Sequence, residues 1–140
     1  IVDQINHAAT CGQIKKIESF INSMALEEQL GLHGLLNPAA IETIANNIDI
    51  LNIDRGVKEH IIWYYLSKLN WSDEVLSRII KIYKHENYIA LESLVISAIK
   101  LDEVEDYQIE MILNVFDTKE IKREIEKRIE RRKNSNRLNQ

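Results

Sequence analysis

Apolar residues recur at helical spacing along nearly the whole of this chain, and that periodicity leaves one fold class open, an all-α one. Helices are expected at about 2–9, 13–23, 25–31, 38–51, 55–69, 73–84, 88–101, 105–116 and 119–132, so eight or nine in all. The fourth carries Ile41, Ile44, Ala45 and Ile48 on one side, the sixth Val75, Leu76, Ile79 and Ile80, the eighth Ile109, Ile112, Leu113 and Phe116. One proline and four glycines in 140 residues fit long helices joined by short turns. The start signals agree: Asp54, Ser72, Asn87, Asp102 and Thr118 can each accept from the free amides of a first helical turn, and Asp102 pairs with Glu105 as in a capping box. Pro38 suits a first turn, where no backbone donor is needed, and Gly31 and Gly34 mark the turn before it.

The helices also repeat. Leu36-Asn37-Pro38-Ala39-Ala40-Ile41 matches Leu69-Asn70-Trp71-Ser72-Asp73-Glu74-Val75 with one residue more, and Ile41, Ala45 and Ile48 fall 34 residues before Val75, Ile79 and Ile82. Leu101 follows Leu69 by 32, while Ile109 and Leu113 follow Val75 and Ile79 by 34. A period near 33 that spans two helices marks a helical-hairpin stack, an α-α superhelix in which no hairpin buries its apolar face alone. The expected domain is 1–133, with repeats at about 36–69, 69–101 and 101–132 and a flexible polar tail at 134–140. Over residues 36–116 the pattern resembles the HEAT and armadillo class of α-solenoids, and the resemblance implies a function carried by a shaped surface. The Trp/Gly/Tyr/Pro signature of tetratricopeptide repeats and the Thr-Pro-Leu-His run of ankyrin repeats are absent.

Charge narrows the partners. Residues 1–116 hold nine Lys/Arg against 17 Asp/Glu, a net −8, and residues 117–140 hold nine against five, a net +4. An acidic body repels phosphates, so nucleic acid is expected at most on the basic C-terminal helix, and a basic protein is the natural complement. A single cysteine, Cys11, excludes an intrachain disulfide scaffold, and no apolar run approaches the length of a membrane span, so a cytoplasmic setting is expected. Oligomeric state is not written in the sequence.

No catalytic site is expected. Phosphate-cradling glycine loops, a GxSxG elbow and HExxH or CxxC motifs are missing, and Glu59-His60 and His85-Glu86 are neighbours whose side chains diverge on a helix. His7 and Cys11 could offer two metal ligands four residues apart, but His33, His60 and His85 are scattered, so neither a metal nor another cofactor is expected. The partner-binding candidates are the acidic turns, Asp73 and Glu74 with Asp102, Glu103, Glu105 and Asp106, which in-register stacking would set side by side as a ridge. The competing reading is that carboxylates favour helix N-terminal turns because of the helix dipole. In the run Ile61-Ile62-Trp63-Tyr64-Tyr65-Leu66 the three aromatics point about 100° apart, so Trp63 or Tyr64 must face outward as a possible anchor. The seventh helix, apolar on most faces, is expected to be central, and the last helix to present a stripe of Ile121, Ile125 and Ile129 with Glu124 paired to Arg128 on an exposed side.

The functional expectation is a non-enzymatic protein-binding module. An acidic helical protein rich in Ile, Asn and Lys looks like a bacterial immunity protein, or antitoxin, of the kind that covers the basic active surface of a toxin nuclease. The alternatives are a scaffold or adaptor fragment of a longer HEAT-like protein, for which a chain opening on Ile1 is a hint, and a nucleic-acid-binding helical repeat.

Overall fold

The computed structural model describes residues 1–138. Nine α-helices and one short 3-10 helix account for the regular structure of the described residues, with no strand among them. They group into two compact units, Ile1–Leu69 and Asn70–Gln140.

In the first unit α1 (Val2–Thr10) and α2 (Ile14–Asn22) form a hairpin, followed by the short α3 (Leu26–Leu30), the 3-10 turn Leu32–Gly34, α4 (Pro38–Asn46) and α5 (Arg55–Ser67). Their buried faces meet in a core of Ile5, Ile17, Ile21, Leu32, Ile44, Val57, Ile61 and Ile62. Just past the end of α1, Gly12 takes φ 68°, its amide reaching Ala9 O and the next amide, of Gln13, reaching Ala8 O. That is the Schellman arrangement, which needs a left-handed residue and takes glycine at no steric cost. Helix α4 starts as expected, with Asn37 Oδ1 accepting from Ala40 N at 2.8 Å and Pro38 in the first turn. It stops at Asn46 and does not run on to 51. Asn47 donates its side-chain Nδ2 to Thr43 O at 2.7 Å, taking a carbonyl of the last turn, and the apolar period continues into a turn that still buries Ile48 and Leu51.

In the second unit α6 (Asp73–His85), α7 (Ile89–Lys100), α8 (Asp106–Leu113) and α9 (Lys119–Leu138) surround Leu76, Tyr88, Leu91, Val95, Ile99, Ile112, Phe116 and Ile121. Residues 134–138, expected as tail, continue α9, and residues 139–140 lie outside the described residues. Helix α7 buries one stripe (Leu91, Val95, Ala98, Ile99) rather than its whole surface, leaving Ile89 and Leu101 exposed at its ends. Asp54, Ser72 and Thr118 cap helices as expected, whereas α7 takes Tyr88 as its N-cap in place of Asn87.

Asp102 caps nothing at the start of α8. It sits at φ 58° just past α7, its amide on Ile99 O and that of Glu103 on Ala98 O, the same Schellman closure that Gly12 gives α1. The capping box of α8 belongs to Glu105 and Gln108.

Within each unit, successive hairpins are tied at a spacing near the sequence period. Asn6 Oδ1 accepts from Asn37 N, Glu18 Oε1 from Asn52 N, and Asn22 Nδ2 donates to Asn52 O, over separations of 31, 34 and 30 residues. In the second unit Tyr107 and Gln108 reach Asp73 over 34 and 35 residues.

Candidate partner-binding surface

The acidic surface of the second unit is built on two helix starts. Ser72 Oγ accepts from Val75 N at 3.2 Å and fixes the first turn of α6, leaving the next residue, Asp73, to reach sideways. Gln108, in the first turn of α8, is only 3% exposed and spends its whole side chain on this junction. Its Oε1 accepts from Glu105 N at 2.9 Å and from Trp71 Nε1 at 3.1 Å, and its Nε2 donates to Asp73 Oδ1 at 2.7 Å. Tyr107 donates its hydroxyl to the same carboxylate oxygen at 2.8 Å while its ring stays 57% exposed. The starts of α6 and α8 are therefore adjacent, and both donors to Asp73 are neutral groups. The bond to Asp73 raises the Tyr107 pKa, helped by desolvation and by the negative charges of Asp73 and Glu105. Glu74, exposed, reaches Arg78 one turn on at 3.4 Å, a contact of the kind that contributes little at a surface.

Asp102 and Asp106 meet a different fate. Arg128 lies between them, Nε 3.6 Å from Asp102 and Nη2 3.1 Å from Asp106, and Arg132 adds contacts at 3.4 and 2.6 Å to the same two carboxylates. Arg131 Nη2 reaches Ile99 O, at the C-terminal end of α7 where a helix dipole favours cations, at 3.4 Å. The acidic turn and the basic helix, far apart in charge along the sequence, neutralise each other here. Three arginines of the basic C-terminal segment are engaged within the protein. Arg128 pairs with these aspartates rather than lying exposed beside Glu124; its side chain is 3% exposed, and Nη1 is buried without a hydrogen-bond partner. Glu124 is buried as well and lies 3.7 Å from Lys100. The buried stripe of α9 thus runs through Ile121, Glu124, Ile125 and Arg128, and Ile129 is half exposed.

Of the expected contact residues, Glu74, Glu103 and Glu105 are exposed, and Glu105 also serves as the cap of α8 and acts on Tyr107 through its charge. Trp63 and Tyr64 belong to the other unit. Trp63 is the aromatic that faces out, at 48% exposure, whereas Tyr64 is half buried against the His33 ring at 5.1 Å and under Lys68. Tyr107 and Gln108 are not among the expected contact residues. The available signal was their offset of 34 and 35 residues from Asp73, the repeat distance itself.

At the opposite ends of α6 and α8 an open groove of about 630 Å³ is lined by Tyr83, Lys84, Glu92, Asn114 and Asp117, among others. Tyr83 is buried, packs on Phe116 at 4.3 Å between ring centroids, and donates to Glu92 Oε1 at 2.7 Å. Desolvation first, then that bond and the Glu92 charge, push its pKa to about 12 from 10.0. The folded state therefore prefers the neutral phenol. The associated stability is fully present below pH 10 and is lost as pH rises through 12. Urea midpoints measured from pH 9 to 12 are expected to fall more steeply for the wild type than for Tyr83→Phe, and parallel curves would contradict the assignment.

His7 Nε2 lies 3.7 Å from Cys11 Sγ, and among the described residues no three His, Cys, Asp or Glu side chains gather as metal ligands. Among the same residues no helix is long and apolar enough to cross a membrane. No family model, curated protein or solved structure matches the chain. The class rests on the fold alone, an all-α protein of paired helices.

Proposed function

We propose that the chain is a non-enzymatic protein-binding module whose docking surface is the pair of acidic helix starts in the second unit, and that its partner is a basic protein. The observation that carries this is Tyr107, an exposed ring pinned by Asp73, under the charge of Glu105, with exposed Glu74 next to Asp73 in the chain and exposed Glu103 in the turn before α8. A large ring held in one orientation loses little entropy when covered, and exposed carboxylates near it select and steer a cationic surface. The finer reading is a HEAT-like hairpin stack acting in the cytoplasm as an immunity protein, covering the basic face of a toxin nuclease. The hydrogen bonds between hairpins at separations of 30–35 residues support the repeat part of it.

Asp102 and Asp106 are poor choices for a charge-reversal test, because reversing them would strand Arg128 and Arg132. Glu74→Lys/Glu103→Lys leaves the pairs of Asp102 and Asp106 with Arg128 and Arg132 in place and gives up only the surface contact of Glu74 with Arg78. Amide shift mapping with an Arg/Lys-rich peptide at low salt is expected to place the perturbations at Glu74, Glu103 and Tyr107. The double variant should weaken binding about tenfold or more if each charge contributes in the range of charge-assisted contacts. Perturbations clustered elsewhere, or binding unchanged by the reversal, would refute the surface. A toxin gene encoded beside this one would favour the immunity role over a scaffold.

A further inference from the structure

The first unit holds a concavity of about 370 Å³, separate from the surface just described. It opens between the start of α4 and the last turns of α5. Leu36, Pro38, Ala39, Ile41 and Leu69 supply apolar walls, and Tyr64 and Tyr65 close one side. Its size falls in the range of small-molecule sites, which pair apolar walls with a few fixed polar groups.

The fixed polar group is Lys68. Its ammonium stands 3.8 Å from the centroid of the Tyr64 ring and 2.5 Å from the Tyr64 hydroxyl, to which it donates. Tyr64 is itself held against the His33 ring. The lysine is thereby restrained at the mouth of the concavity, and among the described residues no carboxylate lies within ion-pair distance of it. Glu42 also lines the concavity but makes no ion pair with Lys68. An apolar hollow with an oriented, uncompensated cation at its edge is complementary to an amphiphile of the opposite sign.

We propose that this concavity binds a small carboxylate on an apolar body, its carboxylate paired with Lys68 and its body against Leu36, Ile41 and Leu69. An aliphatic acid and an aromatic acid share that chemistry. The two are distinguished by probing the full chain with decanoate and with 2-naphthoate.

Titration of either probe, followed by amide shifts, is expected to perturb residues 36–42 and 64–69 with a Kd of about a millimolar or tighter, as suits ligands of a dozen heavy atoms. Lys68→Gln should weaken the probe about fivefold, as loss of an exposed ion pair does. Glu42→Gln should tighten it, since an anion is relieved of a like charge. Tyr64→Phe, which keeps the ring and removes the acceptor that aims Lys68, should fall between wild type and Lys68→Gln. All three side chains are at least partly exposed, and unchanged circular dichroism will confirm that the variants fold. Tighter binding of one acid than the other identifies the class of body. The proposal is overturned if decanol binds as tightly as decanoate with no response to Lys68→Gln, or if neither acid perturbs these residues at several millimolar.

Discussion

Phe116→Ala is expected to lower the unfolding free energy of the second unit by about 3–5 kcal/mol, the range for emptying a fully buried aromatic site. Phe116 has no exposed surface, and its ring stacks on Tyr83 at 4.3 Å between centroids, an aromatic contact that contributes about 0.5–1.5 kcal/mol beyond area burial. It also sits where α8 hands over to α9, with its amide on Ile112 O at 2.8 Å, so the vacated volume lies at a connection held on both sides. Since whole domains are stable by only about 5–15 kcal/mol, this is a large fraction. Urea unfolding followed by Trp71 fluorescence in a Trp63→Phe background would measure it. A loss below about 1 kcal/mol would mean that the site collapses freely and that Tyr83 is not anchored from this side.

Gln108→Ala carries the second large effect, about 2–4 kcal/mol. The substitution removes the acceptor of two N–H groups, those of Glu105 and Trp71, and one of the two donors to Asp73. Each buried polar group left without a partner costs about 1–3 kcal/mol, and the half-buried Trp71 recovers part of that from water. Tyr107→Phe is the informative contrast. It deletes the exposed hydroxyl and leaves the Gln108 junction whole, so stability should stay near wild type while affinity for a basic partner falls. If Gln108→Ala proved as mild as Tyr107→Phe, the junction between α6 and α8 would not be what orients the surface.

The elements were legible because each carries its own apolar period and several carry their own caps. Asp54, Ser72, Thr118 and Pro38 do in the structure what their chemistry suggests in the sequence. What escaped reading depends on contacts that local chemistry does not encode. Asp102 has the composition of an N-cap, yet α7 needs a left-handed residue to close, and that backbone demand decided its role. Arg128 looks like one more exposed charge until two aspartates more than 20 residues away are brought over it. The acidic ridge was half visible. Asp73 does lie against the start of α8, but the charge balance along the chain could not show that α9 folds back to neutralise Asp102 and Asp106 while sparing Glu74 and Glu103.

The hydrogen bonds that tie successive hairpins close loops of only 30–37 residues. Neither unit therefore has to bring distant parts of the chain together before its core begins to form. Topologies of such short reach fold fast, typically within microseconds to milliseconds, because little chain entropy is lost before native contacts compensate for it. The spacing of these ties thus also sets how briefly the apolar stripes of a nascent chain stand open to aggregation.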